Sequence, residues 1–128
     1  GGFIGSASNT IEYFDIGTLG NASDFGDLTG GRYNHAGGSD GTTGFSIGGT
    51  NGSNRVYNID RWTIATTANA TDHGDLTNRP EYPASNCDGT IMVVATGTNN
   101  SSALINVLER FTTANNKSPI SMITSSFP

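Results

Sequence analysis

Asn21-Ala22-Ser23-Asp24-Phe25-Gly26-Asp27-Leu28-Thr29 returns 48 residues later as Asn69-Ala70-Thr71-Asp72-His73-Gly74-Asp75-Leu76-Thr77. The same register holds on either side. Ile11-Glu12-Tyr13-Phe14 maps onto Ile59-Asp60-Arg61-Trp62, Ser39-Asp40-Gly41-Thr42 onto Cys87-Asp88-Gly89-Thr90, and Gly49-Thr50 onto Gly97-Thr98. Leu108-Glu109-Arg110-Phe111 is a third copy of the first of these, displaced by 49 because one residue is inserted before it, while Arg32 and Arg79 correspond with one residue deleted. Fixed spacing inside segments with indels at their joins is the pattern of stacked β-units connected by exposed loops. A period of this length is that of one propeller blade or a similar unit that cannot bury its apolar face alone.

Composition agrees with a turn-rich all-β chain. Its 128 residues suffice for one domain, 1–128, divided by the repeat into approximate segments 1–48, 49–96 and 97–128. Only 13% of residues are charged and the net charge is −5, too little to hold the chain unfolded by self-repulsion, while aromatics recur at fixed positions. Arg32, Arg55, Arg61, Arg79, Arg110 and Lys117 are scattered, which argues against nucleic acid, whose phosphates need clustered cations. No apolar run is long enough to span a bilayer, so no membrane insertion is expected, and no basic-then-apolar signal opens the chain.

Within one repeat, residues 10–16 are rich in β-branched and aromatic side chains and predict a strand. Residues 17–29 begin with a turn and leave room for only a short strand or an ordered loop. Residues 32–36 predict a second strand and 45–48 a third. Asp40-Gly41 between them, like Asp88-Gly89 in the next repeat, supplies the positive φ that a tight hairpin demands. The apolar run 91–95 predicts a fully buried inner strand. Residues 101–111 carry apolar positions at helical spacing, but their match to the earlier strands predicts a strand instead.

These residues resemble the kelch-type repeat. Gly48-Gly49 closes an apolar strand, Ile11-Glu12-Tyr13-Phe14-Asp15 fits its Glu-x-aromatic-Asp strand, and Arg32-Tyr33-Asn34-His35 fits its Arg and His positions. The later copies are degraded: Ile59-Asp60-Arg61-Trp62-Thr63 and Leu108-Glu109-Arg110-Phe111-Thr112 lose the final Asp, and Tyr82 replaces the His. The Asn-Ala-Ser/Thr-Asp-x-Gly-Asp-Leu-Thr variant looks like kelch-like repeats of bacteriophage structural and tail-fibre proteins. The resemblance implies a β-propeller of four-stranded blades, here two complete repeats and a partial third, and no particular activity. So few blades cannot close a ring of ordinary size, and closure is expected from further sequence or other subunits, a trimer with about eight blades among the options.

Candidate chemistry is sparse. Asp24 and Asp27, with Asp72 and Asp75, suggest either oxygen ligands for calcium or carboxylates accepting backbone N–H bonds in Gly turns; the second reading is preferred, and no metal or other cofactor is expected. His35 and His73 stand at non-equivalent positions with no zinc-type spacing, and ring packing accounts for both. Cys87 replaces Ser39 before an Asp-Gly turn, so a small residue suffices there. No Gly-x-Ser-x-Gly elbow or phosphate loop is present, so no catalytic residue is nominated and the chain is expected not to be an enzyme. Tyr13, Phe14, Tyr33, Tyr57, Trp62 and Tyr82 offer sugar-stacking rings, but Phe14, Trp62 and Phe111 are equivalent and predict packing between units. Arg55 and Tyr57, in the longer loop 50–58, are the candidates for an exposed binding contact. Six Asn-x-Ser/Thr matches follow from an Asn/Ser/Thr-rich composition.

The resulting expectation is a virion or extracellular structural component, a phage fibre or capsid-associated scaffold. It would self-associate or bind other virion proteins, with cell-surface glycan as a possible target. A cellular carbohydrate- or protein-binding propeller is the alternative.

Overall fold

In a computed structural model, residues 1–95, 97–99, 101–104, 106–114 and the backbone of 120–124 are described. Among these residues there is no helix. Twelve strands follow in order: β1 Gly2–Phe3, β2 Ala7–Ser8, β3 Thr10–Tyr13, β4 Ser23–Asp27, β5 Ala36–Ser39, β6 Thr43–Ile47, β7 Asn58–Thr63, β8 Thr71–Asp75, β9 Ala84–Cys87, β10 Ile91–Ala95, β11 Val107–Thr112 and β12 Ile120–Thr124. They form four antiparallel sheets: β1-β2, β3-β4, the meander β5-β6-β7-β8 and the meander β9-β10-β11-β12. The all-β expectation therefore holds.

The two meanders carry out the repeat in three dimensions. β5 and β6 lie 48 residues before β9 and β10, and β7 and β8 lie 49 before β11 and β12. β3 and β4 lie 48 residues before β7 and β8 and match their pairing, so the first sheet is the second half of the same unit. Each unit also reproduces one irregularity. The ladder shifts between Ile11 and Glu12, between Ile59 and Asp60, and between Leu108 and Glu109. A bulge turns the local side chain to a new direction, and here it always precedes the acid.

The core lies between the two meanders. Phe45, Ile47 and Ile59 of one join Met92, Val94 and Phe111 of the other, with Ala36 and Leu76 completing the cluster. Each buried aliphatic or aromatic side chain of this kind contributes about 1.5–3 kcal/mol. His73 fills a gap among the rings, centred 5.3 Å from Phe45 and 5.2 Å from Phe111.

Glycines at the strand ends allow the units to approach. Gly49 has φ +96°, and a Cβ there would stand 2.6 Å from the Tyr33 carbonyl oxygen; at its counterpart Gly97 a Cβ would overlap the Glu81 carbonyl oxygen. Each glycine precedes a residue bridged to the incoming chain, Thr50 to Tyr33 and Thr98 to Glu81. The Asp-Gly turns also form as expected: Gly41 and Gly89 have φ of 96° and 99°, and Asp40 and Asp88 accept N–H bonds from the two residues beyond the glycine.

Three strand expectations shift. Residues 32–35 are not a strand; Asn34 at φ 55° breaks the extended run, and the strand begins only at Ala36. The strand expected over 10–16 stops at Tyr13, because Asp15 accepts the Gly17 N–H and folds the chain into a turn. In the third repeat the strand starts at Val107, after a stretch where Ser102 has φ 58°.

Candidate functional site

The residue that organises each unit is the acid after the bulge. Asp60 on β7 is completely buried and accepts three bonds: Thr29 N–H to Oδ2 at 2.8 Å, Thr29 Oγ1 to Oδ1 at 2.7 Å, and Arg32 Nη2 to Oδ2 at 3.0 Å. Arg32 is itself 2% exposed and also donates from Nη1 to the Asn58 carbonyl at 3.0 Å. Burial lowers the guanidinium pKa, and Asp60 opposes that shift by its charge and hydrogen bond. A buried carboxylate is tolerated only when paired and fully hydrogen-bonded, and this one is. The Leu28-Thr29 turn is the segment by which the chain leaves β4 for β5, so Asp60 ties that crossing to its own sheet.

Glu109 on β11 repeats the arrangement for the next crossing. It is 2% exposed and accepts from Thr77 N–H at 2.8 Å and from the N–H and Nδ2 of Asn78, both at 3.2 Å. Thr77 is the counterpart of Thr29, but the partner cation is gone. Arg79 lies instead over the Tyr57 ring, 4.5 Å from its centre.

Glu12 on β3 is the third member of the series, and it is exposed. Among the described residues its carboxylate has no hydrogen-bond or ion-pair partner. Phe14, counterpart of the half-buried Trp62 and the buried Phe111, is 69% exposed. The expectation that this aromatic position packs between units therefore holds at 111, partly at 62, and not at 14. Beneath the Glu12 edge lies a cavity of about 390 Å³ lined by Ile11, Glu12, Leu28, Phe45, Ser46 and Trp62 among others. The Ser46 hydroxyl is buried without a partner.

The residues expected as an exposed contact are held within the chain. Arg55 pairs with Glu81 at 2.8 Å and reaches Thr98 Oγ1 at 3.5 Å, both side chains of the ion pair being largely buried. Tyr57 packs against the core under Arg79. The outward part of that loop is residues 51–54, where Asn51 Oδ1 accepts the N–H groups of Ser53 and Asn54. Arg55 and Tyr57 thus stand at the joint between units.

The aspartates lie on strands β4 and β8 rather than in the expected Gly turns, beside the ladder irregularity, and still accept backbone N–H bonds. Asp24 Oδ1 accepts the Gly26 N–H at 3.2 Å and Asp72 Oδ1 accepts the Gly74 N–H at 2.9 Å. Burial and the neighbouring Asp72 push the Asp75 pKa up. Among the described residues no group of three or more His, Cys, Asp and Glu could hold a metal ion. Cys87 Sγ accepts the Gly89 N–H at 3.3 Å, as Ser39 Oγ accepts that of Gly41 at 2.9 Å, so thiol and hydroxyl do the same work. His73 is fully buried with Nε2 3.1 Å from the Thr112 carbonyl. His35 is half-buried, and burial, aided by the Gly1 amine and Arg32, lowers its pKa to about 4.

The acid series was the functional feature the sequence concealed. Glu12, Asp60 and Glu109 fall at the Glu position of the resemblance, yet nothing in the pattern showed that they bind a turn. The repeated Leu-Thr was the available signal. Comparison with protein-family models and with curated proteins gives no match to this chain.

Proposed function

We propose that the chain is a non-enzymatic structural module whose sheets are kelch-like propeller blades, working as a scaffold in a virion component such as a phage fibre or capsid-associated protein. The observation that carries this reading is the acid-anchored joint, made with Asp60 and again with Glu109. Such a joint performs no reaction; it sets how one sheet follows another. The chemically rich side chains, Arg32, Asp60, Arg55, Glu81 and Glu109, are all engaged with one another or with backbone. What the module offers outward is small, polar and repeated: Asp-Gly hairpins at one end of the sheets and the Asn51 loop at the other.

Repeated display on an oligomeric scaffold converts weak individual contacts into useful avidity, which is how such loops would serve recognition of a host surface. The test is labelling of native assemblies with an antibody against residues 51–54, viewed by electron microscopy. Label on particles or fibres supports the reading. Label confined to soluble cell protein, or turnover of a substrate by the purified chain, overturns it.

A further inference from the structure

Arg61 is the cation of β7 that the joints leave unused. In the ladder Thr43 stands opposite Thr63, Phe45 opposite Arg61, and Arg61 opposite Thr71. Opposed residues share a face of the sheet, so Thr43, Arg61, Thr63 and Thr71 lie on the face that carries Phe45. Trp62 lies on the other face, where a Cβ at Gly44 would meet its ring at 2.5 Å. The β7-β8 connection curls back, the Thr66 N–H donating to the Thr63 carbonyl, and brings Thr66, Ala68 and Asn69 around the same cleft, of about 520 Å³. Arg61 is half-buried there and makes no hydrogen bond or ion pair among the described residues. The hydroxyls of Thr43, Thr63, Thr66 and Thr71 are likewise without partners among the described residues. Asn69 Oδ1 accepts the Asp27 N–H at 3.0 Å, which fixes the amide and leaves Nδ2 to donate. None of the described lining residues is a carboxylate. The nearest acids in sequence are held elsewhere, Asp40 by the Thr42 and Thr43 N–H groups and Asp72 by that of Gly74.

We infer that this cleft binds an acidic sugar, with the sugar carboxylate on Arg61 and the sugar hydroxyls on the threonines and Asn69. A guanidinium offers two parallel N–H groups to a carboxylate, a planar match that a point charge lacks. A hydroxyl both donates and accepts, so a ring of threonines suits a ligand made of hydroxyls. Ala68 is the one apolar side chain on this face of the cleft, which gives an apolar ligand or a peptide side chain little to bury. The volume falls in the range of small-molecule sites and has room for a short saccharide. The site belongs to this unit: Tyr13 stands at the counterpart of Arg61 in the first, and in the third Arg110 is exposed and faces Val93 and Ile120 instead of hydroxyls. The inference rests on the recognition part of the scaffold reading above and adds the place and the class of ligand.

The test titrates digalacturonate and sialyllactose into the 128-residue chain, with lactose as the neutral sugar and triglutamate as the acidic peptide, followed by nuclear magnetic resonance. Saturable shifts of the Arg61 and Asn69 side-chain N–H signals are expected with one or both acidic sugars, and which of them binds tells a uronate from a sialate. Lactose and triglutamate should leave those signals in place. Arg61→Gln should weaken binding at least about tenfold, the cost of one charge-assisted hydrogen bond, and Arg61→Lys, which keeps the charge without the fork, should recover only part of it. Thr66→Val, an exposed change, should weaken binding about fivefold and keeps the test open should Arg61→Gln unfold the chain. Arg110→Gln should change nothing, which separates the cleft from net charge. No saturation with either acidic sugar, equal binding of lactose, or indifference to Arg61→Gln overturns the inference. Triglutamate binding as tightly as the sugars also overturns it, in favour of an acidic peptide. Particle labelling does not depend on the sugar, so a failed cleft and a failed scaffold reading are told apart.

Discussion

Neutralising the same acid at its three positions should have three different costs. Asp60→Asn removes the charge facing Arg32, and with the two side chains 0% and 3% exposed the arginine is left as an uncompensated buried cation. Breaking such a pair costs about 3–5 kcal/mol. Glu109→Gln meets no cation; it weakens bonds from Thr77 and Asn78, and the loss of charge assistance there is worth about 1.5–3 kcal/mol. Glu12→Gln is a surface change and should stay within about 0.5 kcal/mol. Urea unfolding followed by circular dichroism resolves this series: with a slope of about 2 kcal/mol per molar, the midpoint falls by about 2 M for Asp60→Asn and by about 1 M for Glu109→Gln. Replacing Asp60 by Leu together with Arg32 by Met should recover only part of the loss: the uncompensated cation is gone, but the Thr29 N–H and hydroxyl are left without their acceptor. Equal costs at the three positions, or a loss below about 1 kcal/mol for Asp60→Asn, would refute the claim that this acid anchors the crossings.

Tyr82 holds φ 60° at the counterpart of Asn34, with its side chain 63% exposed, so Tyr82→Asn should stabilise the chain by about 1 kcal/mol in the same assay. Gly49→Ala should cost more than about 2 kcal/mol because a Cβ would meet the Tyr33 carbonyl at 2.6 Å, whereas Gly37→Ala, whose nearest neighbour would be 3.8 Å away, should fold at nearly unchanged stability. The His35 pKa is depressed from 6.5 to about 4, so the unfolded chain takes up a proton before the folded one does; melting temperature should fall as pH drops from 6.5 toward 4, and His35→Gln should flatten that slope. Desolvation pushes the Asp40 pKa up, but hydrogen bonds from Thr42 and Thr43 outweigh it and hold it at about 2, so its stabilising share persists through that window and is lost only below about pH 4. Chelation with EDTA, or added calcium, should leave the melting temperature unchanged, since Asp24 and Asp72 serve the N–H groups of Gly26 and Gly74 within their own strands.

The repeat made the strands legible because their signals are local. Asp40-Gly41 and Asp88-Gly89 dictate hairpins by backbone conformation alone, and the apolar run Ile91 to Ala95 forms an inner strand as expected, although only Met92 and Val94 are buried and the alternate residues are half-buried. Ser39 and Cys87 follow the same local logic, since a small side chain beside the turn has one job, to accept the N–H of the turn glycine. Residues 32–36 misled for the same reason: Tyr33 and His35 look extended, yet the conformation is set by Asn34 and by an arginine drawn inward to Asp60, 28 residues away. The site was less legible still. Arg55 and Tyr57 read as loop residues, and only the fold brings Glu81 and Arg79 onto them. Glu12, Asp60 and Glu109 are alike in sequence; what separates a buried anchor from an open one is whether a crossing turn stands against it, which no local pattern encodes.

The measurement that bears most directly on the account is electron cryomicroscopy of the native assembly at side-chain resolution. The expected result is this chain's sheets within a particle or fibre, with the Thr29 and Thr77 crossings seated on Asp60 and Glu109. An isolated chain outside any assembly, or crossings detached from Asp60 and Glu109, would contradict the scaffold reading.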